Sequence, residues 1–119
     1  VAFVAPSDLR IMVWEAPDHL PAYNRYPALD LPVDEAAKFS PLVQVSSDDA
    51  PTLLIAGDKD DLVPISHSEK IHAAMKDKGV VSELLVVEGA GHGFGPDDSK
   101  RTLQAAADWF EKHLRASVK

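Results

Sequence analysis

Residues 52–94 read TLLIAGDKDDLVPISHSEKIHAAMKDKGVVSELLVVEGAGHGF, and this stretch decides the fold. The pattern predicts a buried strand, an aspartate-rich loop, a helix, a second buried strand and a histidine between glycines. A helix that joins two parallel strands returns the chain in the same direction, so the carboxyl ends of both strands lie side by side. Asp60 follows the first strand and His92 follows the second by a few residues. We therefore expect Asp60 and His92 to meet at one edge of the sheet, where a carboxylate and an imidazole activate a nucleophile.

The helix between these two strands has a predicted start and a predicted end. Ser66 and Glu69 form an S-x-x-E pattern, which is typical of a capping box at a helix N-terminus. Gly79 stands where a glycine is expected just past a helix end.

Two further segments extend the predicted sheet and its helices. Val1–Ala5 is a continuous apolar run closed by Pro6, which predicts a strand buried on both faces. A last helix begins near Asp97-Asp98-Ser99, since these residues are suited to N-capping. Apolar residues at helical spacing predict its core-facing side: Leu103, Ala106, Ala107, Phe110 and Leu114.

Residues 9–50 break this regular pattern. Five prolines interrupt the segment, and only Asp34–Lys38 predicts a turn or two of helix, with acidic residues at its N-terminal end. Trp14, Tyr23 and Tyr26 belong either to a cap that faces the substrate or to a surface loop that covers the core. The predicted fold class is α/β, with about three parallel strands, flanking helices and an irregular cap-like excursion.

Length and composition exclude several classes of protein. The chain has 119 residues, which suits one compact domain, and its 12 basic and 19 acidic residues give a net charge of −7. Without a basic run it is a poor candidate for binding nucleic acid, and no apolar run reaches the ~20 residues of a membrane span. There is no cysteine, so neither disulfides nor thiolate metal sites can form. Because the sequence opens on Val1, inside an apolar run, we expect it to be a fragment or a processed product.

The acidic loop does not predict a metal or cofactor site. If Asp58 is taken as position one, the spacing of the acidic residues resembles that of an EF-hand calcium loop. However, Leu62 and Val63 stand where that loop needs an oxygen ligand and a glycine. Asp58 and Asp61 are therefore interpreted as a solvated acidic turn. The glycines around His92 fail the G-x-G-x-x-G pattern, and the other histidines lack the spacing of a zinc site. We expect no metal and no cofactor.

Two motifs carry a resemblance to a known family. GDKDDLVP (residues 57–64) and GAGHGF (residues 89–94), together with the opening VAFVAPSDL, resemble the C-terminal part of α/β-hydrolase serine esterases. The likeness is to the acetyl-esterase and feruloyl-esterase-like group, which is related to prolyl-oligopeptidase-type hydrolases. It covers nearly the whole chain and is weakest between residues 10 and 38.

The resemblance implies a Ser-His-Asp mechanism that cleaves carboxylic esters. Asp60 matches the triad acid and His92 the triad base, in the chain order that this fold uses. No serine stands in a G-x-S-x-G pattern, and the oxyanion-hole segment of the family has no counterpart. Residues 1–119 would then be the C-terminal segment of an α/β-hydrolase domain that lacks its N-terminal strands and nucleophile elbow. We expect the isolated chain to be inactive and a small-molecule ester to be the substrate of its parent.

Two alternatives remain open from the sequence. The parent is either an esterase or a prolyl-oligopeptidase-type peptidase, because both use the same acid and base. The chain is otherwise a non-catalytic α/β module, in which Asp60 and His92 make only a structural hydrogen bond. In that case the edge strand Val1–Ala5 would pair with a missing N-terminal piece or with a second copy of the chain.

Overall fold

The computed structural model of the protein describes residues 1–10 and 33–115. The aromatic residues Trp14, Tyr23 and Tyr26 lie outside the described residues, and so does the cap or loop predicted for them. The elements in chain order are β1 (Ala2–Phe3), α1 (Val33–Lys38), α2 (Pro41–Gln44), β2 (Thr52–Gly57), α3 (Ser66–Asp77), β3 (Ser82–Val87) and α4 (Pro96–Arg115).

The three strands form one parallel sheet in the order β1-β2-β3. Leu54 in the central strand pairs with Ala2 on one side and with Leu84 on the other. The predicted α/β fold with about three parallel strands and flanking helices is therefore confirmed. Parallel pairing brings the carboxyl ends of β2 and β3, and the loops that follow them, to the same edge of the sheet.

Alternate residues of β2 serve two separate cores, because successive side chains of a strand point to opposite faces. Leu54 packs with Ile71 and Met75 of α3. Leu53 and Ile55 pack on the other face, in a cluster that includes Trp109 of α4. The sheet thus lies between α3 and α4, and every residue of β2 after Thr52 is buried.

The predicted end of α3 is confirmed, and its predicted start is wrong. Gly79 has φ +76°, and the bonds from Gly79 N–H to the Lys76 carbonyl and from Val80 N–H to the Met75 carbonyl make a Schellman motif. At the other end the N-cap residue is Ile65 and no side-chain cap bond is made. Ser66 is the first helical residue, one position too late for a capping box, because the chain is already helical at Ile65.

The first strand is shorter and more exposed than predicted. Only Ala2 and Phe3 are extended, and Phe3 is 37% exposed, so the prediction of a strand buried on both faces is wrong. Among the described residues β1 has a partner strand on one side alone. Val4 ends it with φ +45°, a strained value for a β-branched residue, while its N–H still donates to the Ile55 carbonyl.

Helix α4 packs on the sheet through a different face from the predicted one. Its buried residues are Thr102, Ala106 and Trp109, so among the predicted core residues only Ala106 is buried. Leu103 and Leu114 are each 62% exposed and Phe110 is 48% exposed. Two apolar stripes run side by side along this helix, and the described strands cover only the one that carries Trp109. Within the described ranges, no helix combines the length and apolar character needed to cross a bilayer.

Candidate active site

Asp60 lies in the loop that follows β2, here called the acid loop (residues 58–63). Its side chain is fully buried, with 0% exposure. One carboxylate oxygen, Oδ1, accepts hydrogen bonds from the backbone N–H groups of Leu62 at 2.9 Å and Val63 at 2.8 Å. These two bonds hold the carboxylate in one orientation and leave Oδ2 for a partner outside the loop.

His92 is that partner, and it lies in the loop that follows β3, here called the histidine loop (residues 88–95). Its Nδ1 atom is 3.0 Å from Oδ2 of Asp60. A carboxylate only accepts hydrogen bonds, so in the neutral ring Nδ1 carries the proton and Nε2 is left as an acceptor. The His92 side chain is 41% exposed, in contrast to the buried Asp60. The pair therefore has a shielded acid and an imidazole that solvent can reach.

The two loops approach each other closely because residue 57 is a glycine. A Cβ atom added to Gly57 would lie 2.2 Å from the Ala90 carbonyl oxygen and 2.6 Å from that of Gly91, well inside the limit of real contacts. Lys59, two residues after Gly57, donates its backbone N–H to the same Ala90 oxygen at 2.9 Å. Gly57 thus permits the backbone of the histidine loop to lie against the end of β2.

Asp58 also joins the two loops, which the sequence did not indicate. Its Oδ1 atom accepts a hydrogen bond from the Gly89 N–H at 2.7 Å, across 31 positions of the chain. The interpretation of Asp58 as part of a solvated acidic turn is therefore incomplete, because this half-buried carboxylate also has a backbone partner in the other loop, whereas Asp61 is exposed as expected. A side-chain bond to a backbone group so far along the chain has no local sequence signal.

An aromatic pair lies beside the histidine loop. The rings of Phe3 and Phe94 have centroids 6.5 Å apart and are tilted by 47°. Phe94 comes two residues after His92 and packs against the buried cluster that includes Val87 and Trp109. This pair gives the carboxyl edge of the sheet an apolar surface near the imidazole.

His67, the second residue of α3, forms a second and buried histidine site. Its Nδ1 atom accepts the backbone N–H groups of Ser7 at 3.1 Å and Asp8 at 3.3 Å, and its carbonyl accepts the Ser7 hydroxyl at 2.6 Å. Burial lowers the pKa of His67, and the Asp8 carboxylate partly opposes this shift. Hydrogen bonds from Arg10 in turn lower the pKa of Asp8. This histidine ties the segment after β1 to the start of α3, a link that no motif predicted.

The Asp60–His92 pair has the geometry of a general base and its orienting acid. Within residues 1–10 and 33–115, no serine hydroxyl bonds to the His92 ring. The same ranges contain no group of three or more histidine or carboxylate side chains placed to hold a metal ion. The catalytic role assigned to Asp60 and His92 stays a prediction, since their proximity alone does not test it.

Comparison with known proteins places the chain in a family. The model of the prolyl oligopeptidase family matches residues 2–117. The chain is also 38% identical over 93 residues to the non-reducing polyketide synthase prhL of Penicillium brasilianum, covering 73% of this chain and 4% of that protein.

Two solved structures are similar to this one. A puromycin-hydrolyzing peptidase of Mycobacterium tuberculosis is 31% identical with a TM-score of 0.63, over 77% of this chain and 14% of that one. A truncated carbohydrate esterase from gut microbiota shares the fold at 24% identity and a TM-score of 0.59, over 76% of this chain and 33% of that one. The chain thus spans a minor part of each of these three proteins.

These matches confirm the resemblance carried by GDKDDLVP and GAGHGF, with an esterase and a peptidase among the structural neighbours. Because the family model covers nearly the whole chain, the chain belongs to the prolyl oligopeptidase family of α/β-hydrolases.

Proposed function

We propose that this chain supplies the acid and the base of a serine hydrolase that cleaves carboxylic esters, Asp60 and His92 respectively. The observation that carries the proposal is the 3.0 Å contact between Asp60 Oδ2 and His92 Nδ1. The buried Asp60 is fixed by two backbone N–H groups, so it presents one oxygen to the ring in a set orientation. That is the arrangement a base needs if its Nε2 atom is to accept a proton from a nucleophile.

The nucleophile of this reaction comes from another part of a longer parent protein. The chain has no G-x-S-x-G sequence, and it covers only 14% and 33% of the two similar solved chains. In our proposal residues 1–119 form the C-terminal segment of an α/β-hydrolase domain. The parent's preceding segment contributes the serine and the oxyanion hole.

The proposed reaction follows from the tautomer of His92. The serine oxygen attacks the ester carbonyl carbon while its proton moves to Nε2, and Asp60 stabilises the imidazolium that forms. The C–O bond to the alcohol then breaks, and the Nε2 proton passes to the leaving alkoxide. Water repeats the sequence on the acyl-serine and releases the carboxylic acid. Oxyanion-hole donors in the parent would contribute ~3 kcal/mol or more of transition-state stabilisation.

The test uses p-nitrophenyl acetate with both the 119-residue chain and the parent protein. We expect the chain alone to hydrolyse this ester no faster than free imidazole does, because it holds a base without a nucleophile. In the parent, His92→Ala should lower kcat by at least ~10⁴-fold, as the loss of a triad base does in other serine hydrolases. His72→Ala is the matched control, since His72 is a partly buried histidine whose ring contacts Ser82 instead. Hydrolysis of p-nitrophenyl acetate by the isolated chain faster than by free imidazole, or an active His92→Ala parent, would contradict the proposal.

A peptidase parent is the second candidate. The observation that favours it is the likeness to the puromycin-hydrolyzing peptidase, at 31% identity. A panel of an ester, a thioester and a peptide amide of the same acyl group separates the candidates. An esterase should cleave the amide far more slowly than the ester, whereas a peptidase should cleave it with a kcat/KM that depends on the residues beside the scissile bond.

A further inference from the structure

Three consecutive residues of the acid loop each bond to the histidine loop. Asp58 Oδ1 accepts the Gly89 N–H at 2.7 Å, Lys59 N–H donates to the Ala90 carbonyl at 2.9 Å, and Asp60 Oδ2 meets His92 Nδ1 at 3.0 Å. The three contacts form a short ladder between segments about 30 positions apart. Only the last contact involves the proposed catalytic pair. The first two contacts join the two loops without involving either catalytic side chain.

The histidine loop needs such contacts because its own backbone is poorly constrained. Glycines occupy positions 89, 91, 93 and 95, and Gly89 adopts φ +74°. Glycine loses more backbone entropy on ordering than any other residue, so a loop of this composition does not fix a side chain by itself. The position of His92 therefore depends on what holds the loop from outside.

Among the three contacts between the loops, the one made by the Asp58 side chain lies nearest to the start of the histidine loop. A carboxylate that accepts a backbone N–H makes a shorter and stronger hydrogen bond than a neutral acceptor. The bond at 2.7 Å holds Gly89, three positions before His92, just where the chain leaves β3. The neighbouring acid Asp61 is exposed.

We infer that Asp58 is a positioning residue for His92. It holds the histidine loop so that Nδ1 faces the Asp60 carboxylate, and it thereby keeps the ring in the tautomer with Nε2 free to accept a proton. The inference about the ring geometry concerns this chain alone, and its consequence for the reaction rests on the proposed function. In the described part of the chain the Asp58 side chain makes no hydrogen bond to the His92 ring or to the Asp60 carboxylate, so it acts through the loop backbone.

The test is nitrogen-15 NMR of the histidine rings in the full 119-residue chain at a pH where the rings are neutral. In the wild type we expect His92 as the Nδ1–H tautomer, because Asp60 accepts from Nδ1. Asp58→Ala should convert it to a mixture with a measurable Nε2–H fraction. Asp58→Asn, which keeps an acceptor oxygen without the charge, should restore most of the wild-type signal.

Two internal references make this result specific. Asp61→Ala removes the same charge from an exposed position beside Asp60 and should leave the His92 tautomer unchanged. His67 accepts at Nδ1, so its opposite tautomer reports whether each variant is folded. If Asp58→Ala loses the His67 signal, Asp58→Ser serves as the truncation, since serine also suits a turn. An unchanged His92 signal in a folded truncation variant, or an equal change in Asp61→Ala, overturns the inference.

A kinetic measurement on the parent separates this inference from the proposed function. We expect Asp58→Ala to lower kcat roughly tenfold with little change in KM, less than the ~100-fold that a full 1 Å misplacement costs. Unchanged kcat in the variant contradicts the positioning role. A parent without hydrolase activity contradicts the proposed function instead, and the NMR result then still decides whether Asp58 sets the tautomer.

Discussion

His67 and His92 are held in opposite ways, although the Asp60 carboxylate acts electrostatically on both rings. His92 donates from Nδ1 to the carboxylate, and its side chain is 41% exposed. His67 is completely buried and accepts two backbone N–H groups at the same ring position. The hydrogen-bond partner of Nδ1 thus sets the tautomer of each ring. In neutral His92 this leaves Nε2 as a proton acceptor, whereas in neutral His67 it makes Nε2 a buried donor.

The Nε2 atoms of the two rings show the same contrast. Nε2 of His67 is buried and has no hydrogen-bond partner among the described residues, whereas the His92 side chain is 41% exposed. The Nδ1 atom of His67 accepts the N–H groups of Ser7 and Asp8. His67 is therefore structural, because Nδ1 is the only acceptor of its neutral ring and is already occupied.

The largest predicted effect comes from giving His92 the tautomer of His67. Asp60→Asn should keep an oxygen toward the Leu62 and Val63 amides but present an NH₂ group to His92. Nδ1 must then accept, and Nε2 becomes protonated and unable to act as a base. We expect kcat of the parent for p-nitrophenyl acetate to fall about 10⁴-fold, as the same exchange does in a serine protease. A fall of less than tenfold would show that Asp60 does not orient the base.

The second effect is on stability, and it comes from removing the buried ring. His67→Ala leaves the amides of Ser7 and Asp8 without their acceptor and opens a cavity, so we expect the free energy of unfolding to fall by ~3 kcal/mol. Urea denaturation of the 119-residue chain measures this loss. His67→Asn is the control, because its side-chain oxygen can replace Nδ1 and should restore part of the stability. Equal losses in both variants would mean that packing, not the two amide bonds, accounts for the effect.

The smallest effect is a dependence of stability on pH. The folded-state pKa of His67 is lowered from 6.5 by burial, so the unfolded chain binds a proton more readily than the folded chain does. The contribution is fully present above pH 6.5, and it is lost as pH falls from there through the folded-state pKa, by at most ~1.4 kcal/mol per pH unit.

Urea denaturation at a series of pH values between about 5 and 8 measures this slope. Asp8 and Lys70 also act on the His67 ring, but Asp8 titrates at lower pH because Arg10 holds its pKa down. His67→Asn should flatten the profile in this window. A wild-type profile as flat as that of the variant would contradict a neutral, buried His67.

The sequence predicts the part of the site that topology controls. A strand, a helix and a second strand in parallel must bring the loops after both strands together, and Asp60 and His92 are indeed in contact at that edge. Gly79 was predicted for a similar reason, because a left-handed residue past a helix end favours glycine. Both inferences depend on the local backbone and not on how side chains pack.

Features that depend on packing partners were predicted poorly. Helical spacing finds the apolar residues of α4, but it does not tell which of two adjacent stripes meets the sheet. It therefore predicts Phe110 as a core residue, whereas Trp109 is the buried one. His67 and Asp58 bond to backbone groups 60 and 31 positions away. Such bonds leave no periodic pattern in a single sequence, because their geometry exists only after the sheet has formed.

The contact between Lys59 and Ala90 has a consequence for engineering. It uses only the backbone N–H of Lys59, and the side chain of this residue is exposed. Position 59 should therefore accept any residue that keeps its amide hydrogen, with proline alone breaking the link. A reporter group or an altered charge introduced there would lie one residue from Asp60 and would leave the hydrogen bond between the two loops intact.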